Sequence, residues 1–331
     1  MIDAAIVGSS GYIGGEILRI LDNHTEVNVS TITSRKFANE KVDRIHPNLK
    51  GIDLRFTDDL EKIDSDVTFL CVPHGSSMKL INDFIGKSKI IDLSADFRVG
   101  LDLYKEYYGD HKRPELINEA VYGLPELNRE QIKEADIVAN PGCNATAAIL
   151  GLYPFKGEIE KAVVDLKVSS SAGGRRANMM SSHPERSSVV RPYKEYRHRH
   201  EAEVIQETGI NANFTVHSVD MVRGLLATIY INMKTDKSDI YKKFHEYSDE
   251  TFIRFVKQTG GFQRNPNPKY VIGSNYADLG FAYDEKNSRV VVFSAIDNLL
   301  KGGAGQAVQN MNIMFGFEEK MGLNQHPINP I

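Results

Sequence analysis

Apolar residues in the first 140 positions come in short runs separated by polar stretches with helical spacing. The segments 4–7 (AAIV), 27–33 (VNVSTIT), 66–72 (DVTFLCV), 89–94 (KIIDLS) and 136–140 (DIVAN) are rich enough in apolar residues to be strands buried on both faces. Between them, GGEILRILDN (14–23) and SSMKLINDFIGKS (76–88) repeat their apolar positions with the period of an amphipathic helix. Strand–helix alternation of this kind predicts an α/β fold, a Rossmann-type doubly wound parallel sheet with helices on both faces. Cys71 falls inside one of the runs and reads as core.

The texture changes near residue 150. Longer strands are expected over 162–171, 213–220, 224–233 and 288–297, with a helix from Asp239 as the main interruption. That pattern predicts a second α+β domain with a largely antiparallel sheet. A last helical stretch, 302–317, is expected to pack back on the first domain. The domain division is therefore 1–142 with 302–331, and 143–301.

Composition narrows the class. The chain has 331 residues, 41% of them hydrophobic and 25% charged, which is ordinary for a globular protein. A net charge of −4 gives no global reason to expect nucleic acid or a membrane surface as partner. No apolar run approaches a membrane span, and MIDAAIV enters a strand without a signal segment, so the cytoplasm is the expected compartment. Two cysteines make no disulfide framework, and no spacing of ligands suggests a metal.

Gly8, Gly11 and Gly14 stand between the first strand and the first helix, spaced G-x-x-G-x-x-G. Glycines there allow a tight turn and bring backbone N–H groups at a helix N-terminus close to a pyrophosphate. The second strand ends in Ser34, Arg35 and Lys36, where NAD-binding sites usually carry Asp or Glu. A hydroxyl and two cations suit a 2′-phosphate, so NADP(H) is favoured over NAD(H).

The stretch NPGCNATAAIL (140–150) sets Cys143 after turn residues and before an Ala-rich helical run. A helix N-terminus favours an anion, which suits a thiolate that attacks carbonyl carbon. Position alone leaves a small buried apolar side chain as the alternative. A nicotinamide cofactor and such a thiol together suggest acyl transfer to sulfur followed by hydride transfer, which also needs an acid/base group. His198 and His200 are the suggestive pair, and the residues themselves do not choose between them.

Six segments occur in order along nearly the whole chain: GSSGYIGGE, LSADFR (93–98), VYGLPE (121–126), NPGCNATA (140–147), HRHEAE (198–203) and DNLLKGGAGQAVQNMN (297–312). Together they resemble the N-acetyl-gamma-glutamyl-phosphate reductase family, within the aspartate-semialdehyde dehydrogenase superfamily. The resemblance implies a Cys143 nucleophile and His200 as acid/base. It implies cofactor contacts at Gly8, Ser10, Gly11, Tyr12, Ile13, Gly14, Ser34, Arg35, Lys36 and Asn298, the last near the nicotinamide. It also implies a homo-oligomer, dimer or tetramer, built by the second domain. Asn144 stands where the family usually has an aromatic residue.

Within that family, the stretch from Ser170 to Glu203 looks most like the branch acting on amino-group-carrier-protein adducts. That branch reduces a carrier-linked gamma-glutamyl or 2-aminoadipyl phosphate to its semialdehyde, in lysine or arginine biosynthesis. The local charge agrees. Positions 175–200 carry seven Lys/Arg and two Glu, a local excess of +5 in a chain of −4. Arg175, Arg191 and Arg199 are candidates for binding carboxylate or phosphate. The surplus, with Arg186 and Arg197 as outer positions, would suit a small acidic carrier protein. The alternatives are the ordinary N-acetylated arginine-pathway substrate, aspartyl phosphate, or a silent NADP-binding regulator.

Overall fold

The computed structural model describes residues 1–177, 181–257 and 264–329. The chain forms two compact units, Met1–Pro141 with Gly303–Asn324, and Gly142–Gly302 with Gln325–Ile331.

In the first unit, strands β1 (Ile2–Val7), β2 (Val27–Thr33), β3 (Phe56–Thr57), β4 (Val67–Leu70), β5 (Lys89–Asp92), β6 (Ala120–Tyr122) and β7 (Ile137–Ala139) make one sheet. Its order is β3-β2-β1-β4-β5-β7-β6 and every pairing is parallel. The order reverses at β1, the switch point at which doubly wound sheets bind ligands. All four residues of β4 and Ala4–Val7 of β1 are buried, which accounts for their unbroken apolar runs. The helices here are α1 (Tyr12–Leu21), α2 (Val42–Ile45), α3 (Ser77–Leu80), α4 (Leu101–Tyr108) and α5 (Pro125–Glu134). α1 buries Ile17, Leu18, Ile20 and Leu21, each worth roughly 1.5–3 kcal/mol of transfer energy.

The stretch 76–88 is not one long helix. α3 stops at Leu80 and a 3₁₀ turn, Ile81–Asp83, follows. The Ser77 hydroxyl is drawn to Asp92 Oδ1 at 2.5 Å and the Met78 N–H to Asp96 Oδ2 at 3.1 Å, and Gly86 turns the chain at φ +74°. The two bonds anchor the start of α3, whose first N–H groups have no partner within the helix, and the left-handed Gly86 ends the stretch.

In the second unit, α6 (Cys143–Leu152), β8 (Lys161–Val168), α7 (His183–Arg186), β9 (Val190–Tyr193), α8 (His200–Thr208), β10 (Asn211–Val219), β11 (Leu225–Asn232), α9 (Lys237–His245), β12 (Ile253–Phe255), β13 (Ala277–Asp284) and β14 (Arg289–Ile296) follow in order. The sheet order is β12-β13-β14-β11-β8-β10-β9. It is mixed and mostly antiparallel: β8–β10 and β12–β13 are parallel, the other pairings antiparallel. α6 packs on β11 and β14, and its residues Asn144–Leu152 are all buried.

The last helix, α10 (Ala304–Met314), belongs to the first unit, packed on α1 and α5. The tail does not follow it, contrary to the assignment of 302–331 to one domain. Gln325 onward joins the second unit, where Ile328 N–H donates to Ile272 O at 2.9 Å.

Candidate active site

In the first unit, Gly8 has φ +83°, and an added Cβ would lie 2.5 Å from Cys71 O. A Cβ at Gly14 would lie 2.5 Å from Ser9 Cα. Both positions therefore require glycine for the turn and for close helix–strand packing. Gly11 differs: a Cβ there would meet only Gly8 O, at 3.8 Å, so the space before the first turn of α1 is open. α1 has no side-chain cap, which leaves the N–H groups of its first turn to the space before it, an arrangement able to hold an anion. Ser10 stands beside the turn with Tyr12 exposed and Ile13 half-buried. Ser34, at the end of β2, is buried and donates its hydroxyl to Ser10 Oγ at 3.0 Å. Arg35 and Lys36 are exposed, with Lys36 Nζ 5.1 Å from the Phe37 ring centroid. An open helix N-terminus, paired hydroxyls and two cations fit a phosphorylated dinucleotide.

In the second unit, Cys143 is the first residue of α6, with Gly142 as N-cap. Gly142 N–H donates to Glu203 Oε2 at 3.0 Å, and Glu203 is fully buried. His200 opens α8, and its Nε2 lies 3.9 Å from Glu203 Oε1, one helical turn on. One carboxylate thus spans from the peptide preceding the thiol to the imidazole. His198 is more deeply buried. Its ring stacks on Phe214 and lies edge-on to His200, and its Nδ1 accepts the His200 N–H at 3.3 Å. Burial, reinforced by the neighbouring His200 and Arg199, pushes its pKa down to about 3, so it stays neutral near pH 7.

Cys143 and both histidines line a cavity of about 450 Å³ together with Arg186, Arg191, Tyr193, Lys194, Arg199 and Ser218. Of the three candidate arginines, Arg191 and Arg199 line this cavity, whereas Arg175 is exposed and lies outside its lining. Arg186 is not an outer position. It is half-buried, lines the cavity and donates from Nη2 to Val168 O at 3.1 Å. Residues 178–180 of the basic stretch lie outside the described residues.

Asn298 is buried and its amide is held within the second unit. Oδ1 accepts from Ser169 Oγ at 3.0 Å and from Gly224 N–H at 2.8 Å, while Nδ2 donates to Ser171 Oγ at 2.9 Å. Its neighbour Asp297 holds Arg223 at 2.6 Å and the N–H groups of Leu299 and Leu300. This loop delivers Gly302 against the Cys143 side chain: an added Cβ there would lie 2.6 Å from Cys143 Cβ and 2.9 Å from Asn298 Cα.

Glu203, Arg186, Tyr193 and Ser218 were not among the residues that the sequence singled out for this site. For Glu203 a signal exists, since its i, i+3 spacing from His200 puts both on one helix face. Arg186, Tyr193 and Ser218 come together only through the tertiary fold.

A doubly wound dinucleotide fold and a second unit carrying a thiol at a helix N-terminus define the semialdehyde dehydrogenase class. Residues 3–135 match the family described as semialdehyde dehydrogenase, NAD binding domain, and residues 143–298 the semialdehyde dehydrogenase, dimerisation domain. The chain belongs to that family, and within it to the group of the LysW-L-2-aminoadipate/LysW-L-glutamate phosphate reductases. It is 44% identical over 349 residues to the Saccharolobus solfataricus protein of that name, covering 99% of each chain. It is 65% identical over 330 residues to a Pyrococcus abyssi protein provisionally given the same name, covering all of both chains. Among solved structures, aspartate semialdehyde dehydrogenase II of Vibrio cholerae complexed with ASA matches with a TM-score of 0.73 at 16% identity, covering 96% of this chain and 98% of that one. The Candida albicans aspartate semialdehyde dehydrogenase with NADP matches at 0.70 and 14%, covering 95% and 98%. These last two establish the shared fold. The chain is thus an oxidoreductase with a nicotinamide-cofactor-binding unit. No helix among the described residues is long and apolar enough to cross a membrane.

Proposed function

We propose that this protein is an NADPH-dependent reductase of an acyl phosphate presented on an amino-group carrier protein, the acyl group being gamma-glutamyl or 2-aminoadipyl. The reading is carried by one observation: Cys143 at the N-terminus of α6 shares a cation-rich cavity with His200, and Glu203 bridges the two. The names of the relatives, which cite LysW-linked substrates, support it.

The Cys143 thiolate attacks the acyl carbon, a C–S bond forms, and phosphate leaves with the electron pair of the C–O bond. A bound nicotinamide cofactor supplies hydride to the thioester. His200 exchanges the proton at the thiohemiacetal oxygen, and collapse to the aldehyde returns the thiolate. The α6 N-terminus stabilises negative charge on sulfur before attack and after release. Arg191 and Arg199 attract the anionic substrate into the cavity, and Arg175 serves at its approach. Gly8, Ser10, Gly11, Tyr12, Ile13 and Gly14 hold the diphosphate end of the cofactor. Ser34, Arg35 and Lys36 hold its 2′-phosphate, and Asn298 is assigned to its nicotinamide end. The protein works as a homo-oligomer.

Side-by-side assay of carrier-linked glutamyl phosphate, carrier-linked 2-aminoadipyl phosphate and free N-acetylglutamyl phosphate tests the reading. NADPH oxidation with a carrier-linked substrate is expected. Efficient turnover of the free N-acetylated compound, with no gain from the carrier, would place the enzyme in the ordinary arginine pathway instead.

A further inference from the structure

Along β10 the inward row is Ala212, Phe214 and Val216, all buried and apolar, and then Ser218. At that end the row reaches the cavity of Cys143, which Ser218 lines. The Ser218 hydroxyl is buried and meets no hydrogen-bond partner among the described residues. Arg186, in the lining of the same cavity, has a buried Nε that is likewise unmet, and among the described residues its guanidinium donates only to Val168 O. Among the described residues Arg186 makes no ion pair. Asp220, the carboxylate whose charge reaches it, is engaged by the Ser188 N–H at 2.8 Å. Arg191, paired with Ser218 in the β9–β10 register, adds a second cation to the same cavity wall.

A half-buried guanidinium without a counter-ion, beside a second cation and an unmet hydroxyl, is an unfavourable arrangement in the ligand-free protein. Burial and the Arg191 charge both act against its positive charge. An anion bound between these groups relieves all three costs at once. Arg186 and Ser218 line the same cavity as Cys143 and Tyr193, which puts such an anion in the space that holds the reacting sulfur.

We propose that Arg186 and Ser218 form the subsite for the transferred phosphate group, the part of the substrate attached to the carbon that Cys143 attacks. The proposal rests on the acyl-phosphate reading above. In the reductive direction the subsite holds the leaving phosphate while the C–O bond breaks. In the oxidative direction it holds inorganic phosphate, which attacks the Cys143 thioester carbon, forms the C–O bond and expels the thiolate. That thioester arises when Cys143 adds to the aldehyde and the resulting thiohemiacetal loses hydride, which a bound oxidised nicotinamide cofactor would accept.

The oxidative assay separates phosphate from the rest of the substrate, because inorganic phosphate is there a reactant of its own. Arg186→Gln should raise the KM for inorganic phosphate about 10- to 100-fold, with the KM for the carrier-linked semialdehyde changed less than about threefold. Arg186→Lys keeps the charge without the planar pair of donors and should fall between. Ser218→Ala should raise the phosphate KM severalfold with no loss of Tm, since it removes a hydroxyl that meets no partner in the free protein. Calorimetric binding of inorganic phosphate gives a readout independent of turnover, and it should weaken in parallel. A raised semialdehyde KM with an unchanged phosphate KM would overturn the proposal and make Arg186 a carboxylate binder. Equal phosphate binding by wild type and Arg186→Gln would also overturn it. Arg186-dependent phosphate binding in a protein that fails to oxidise the semialdehyde would leave the subsite standing and refute the functional reading alone.

Discussion

Glu203 Oε2 accepts the Gly142 N–H at 3.0 Å, so a fully buried carboxylate caps the helix whose first residue is Cys143. Its other oxygen faces His200 Nε2 at 3.9 Å. The two contacts can be separated by substitution. Glu203→Gln retains an oxygen for the Gly142 N–H but removes the charge beside His200. Glu203→Ala leaves a buried N–H unmet, at a cost of about 1–3 kcal/mol. Thermal unfolding should therefore show a large Tm loss for Ala and a small one for Gln, whereas turnover should fall in both. Equal Tm losses would remove the capping role.

Cofactor choice should follow Arg35 and Lys36, the exposed cations after β2. Replacing both with neutral residues should raise the KM for NADPH about tenfold or more and leave that for NADH nearly unchanged, since only NADPH carries the 2′-phosphate. Initial-rate measurements with both cofactors check this. An unchanged preference would place the phosphate elsewhere.

The two histidines should separate by chemistry and by pH. His200→Ala should lower kcat by roughly 10²–10⁴-fold, with a smaller effect from His198→Ala. His198 instead shapes acid stability. Its pKa falls from 6.5 to about 3 on folding, so the unfolded chain takes up its proton first as pH drops. Stability is complete above pH 6.5 and declines below it; about 2 kcal/mol should be lost between pH 7 and 5 on this account. Asp92 acts in the opposite sense: burial pushes its pKa up to about 6, so its contribution is present at acid pH and lost as pH rises through that value. Comparing wild type with His198→Gln cancels the Asp92 contribution. Denaturant unfolding at pH 5 and 7 should show a shallower acid decline in the variant.

Carrier docking, if it uses the basic segment, should depend on outer residues such as Arg197, which is exposed, rather than on Arg186. Arg197→Glu should reduce kcat/KM for a carrier-linked substrate by up to about tenfold at low ionic strength, with the deficit shrinking as salt is added. A small surrogate acyl phosphate should be turned over as by wild type. Equal losses on both substrates would put Arg197 inside the chemistry.

The parallel sheet and α1 were legible because their signals are local: unbroken apolar runs for β1 and β4, a 3.6-residue period for Ile17, Leu18 and Leu21. The stretch 76–88 misled because its period is helical, yet α3 gives way to the 3₁₀ turn Ile81–Asp83 and then to the left-handed Gly86. The short strands β3, β6, β9 and β12 carry too few residues for a period to show. Cys143 was readable from its turn residues and the alanines that follow. Arg186 was not: in sequence it is one cation among seven, and only the fold brings its guanidinium to Val168 O and into the cavity lining.

Gly302 closes the space behind the Cys143 Cβ, and the thiol lines the cavity through which a reagent can reach it. The other thiol, Cys71, is held protonated by burial and by the charge of Asp92, which makes it a slow target for alkylation. The chain therefore carries a single-site chemical reporter of its own. Iodoacetamide should label Cys143 selectively, and the labelling rate should fall as a ligand fills the cavity, with mass spectrometry of the two cysteine peptides giving occupancy without any turnover. Enlarging Gly302 to Ala should alter that rate even in the empty protein, because the added methyl crowds both the Cys143 Cβ and the Asn298 backbone.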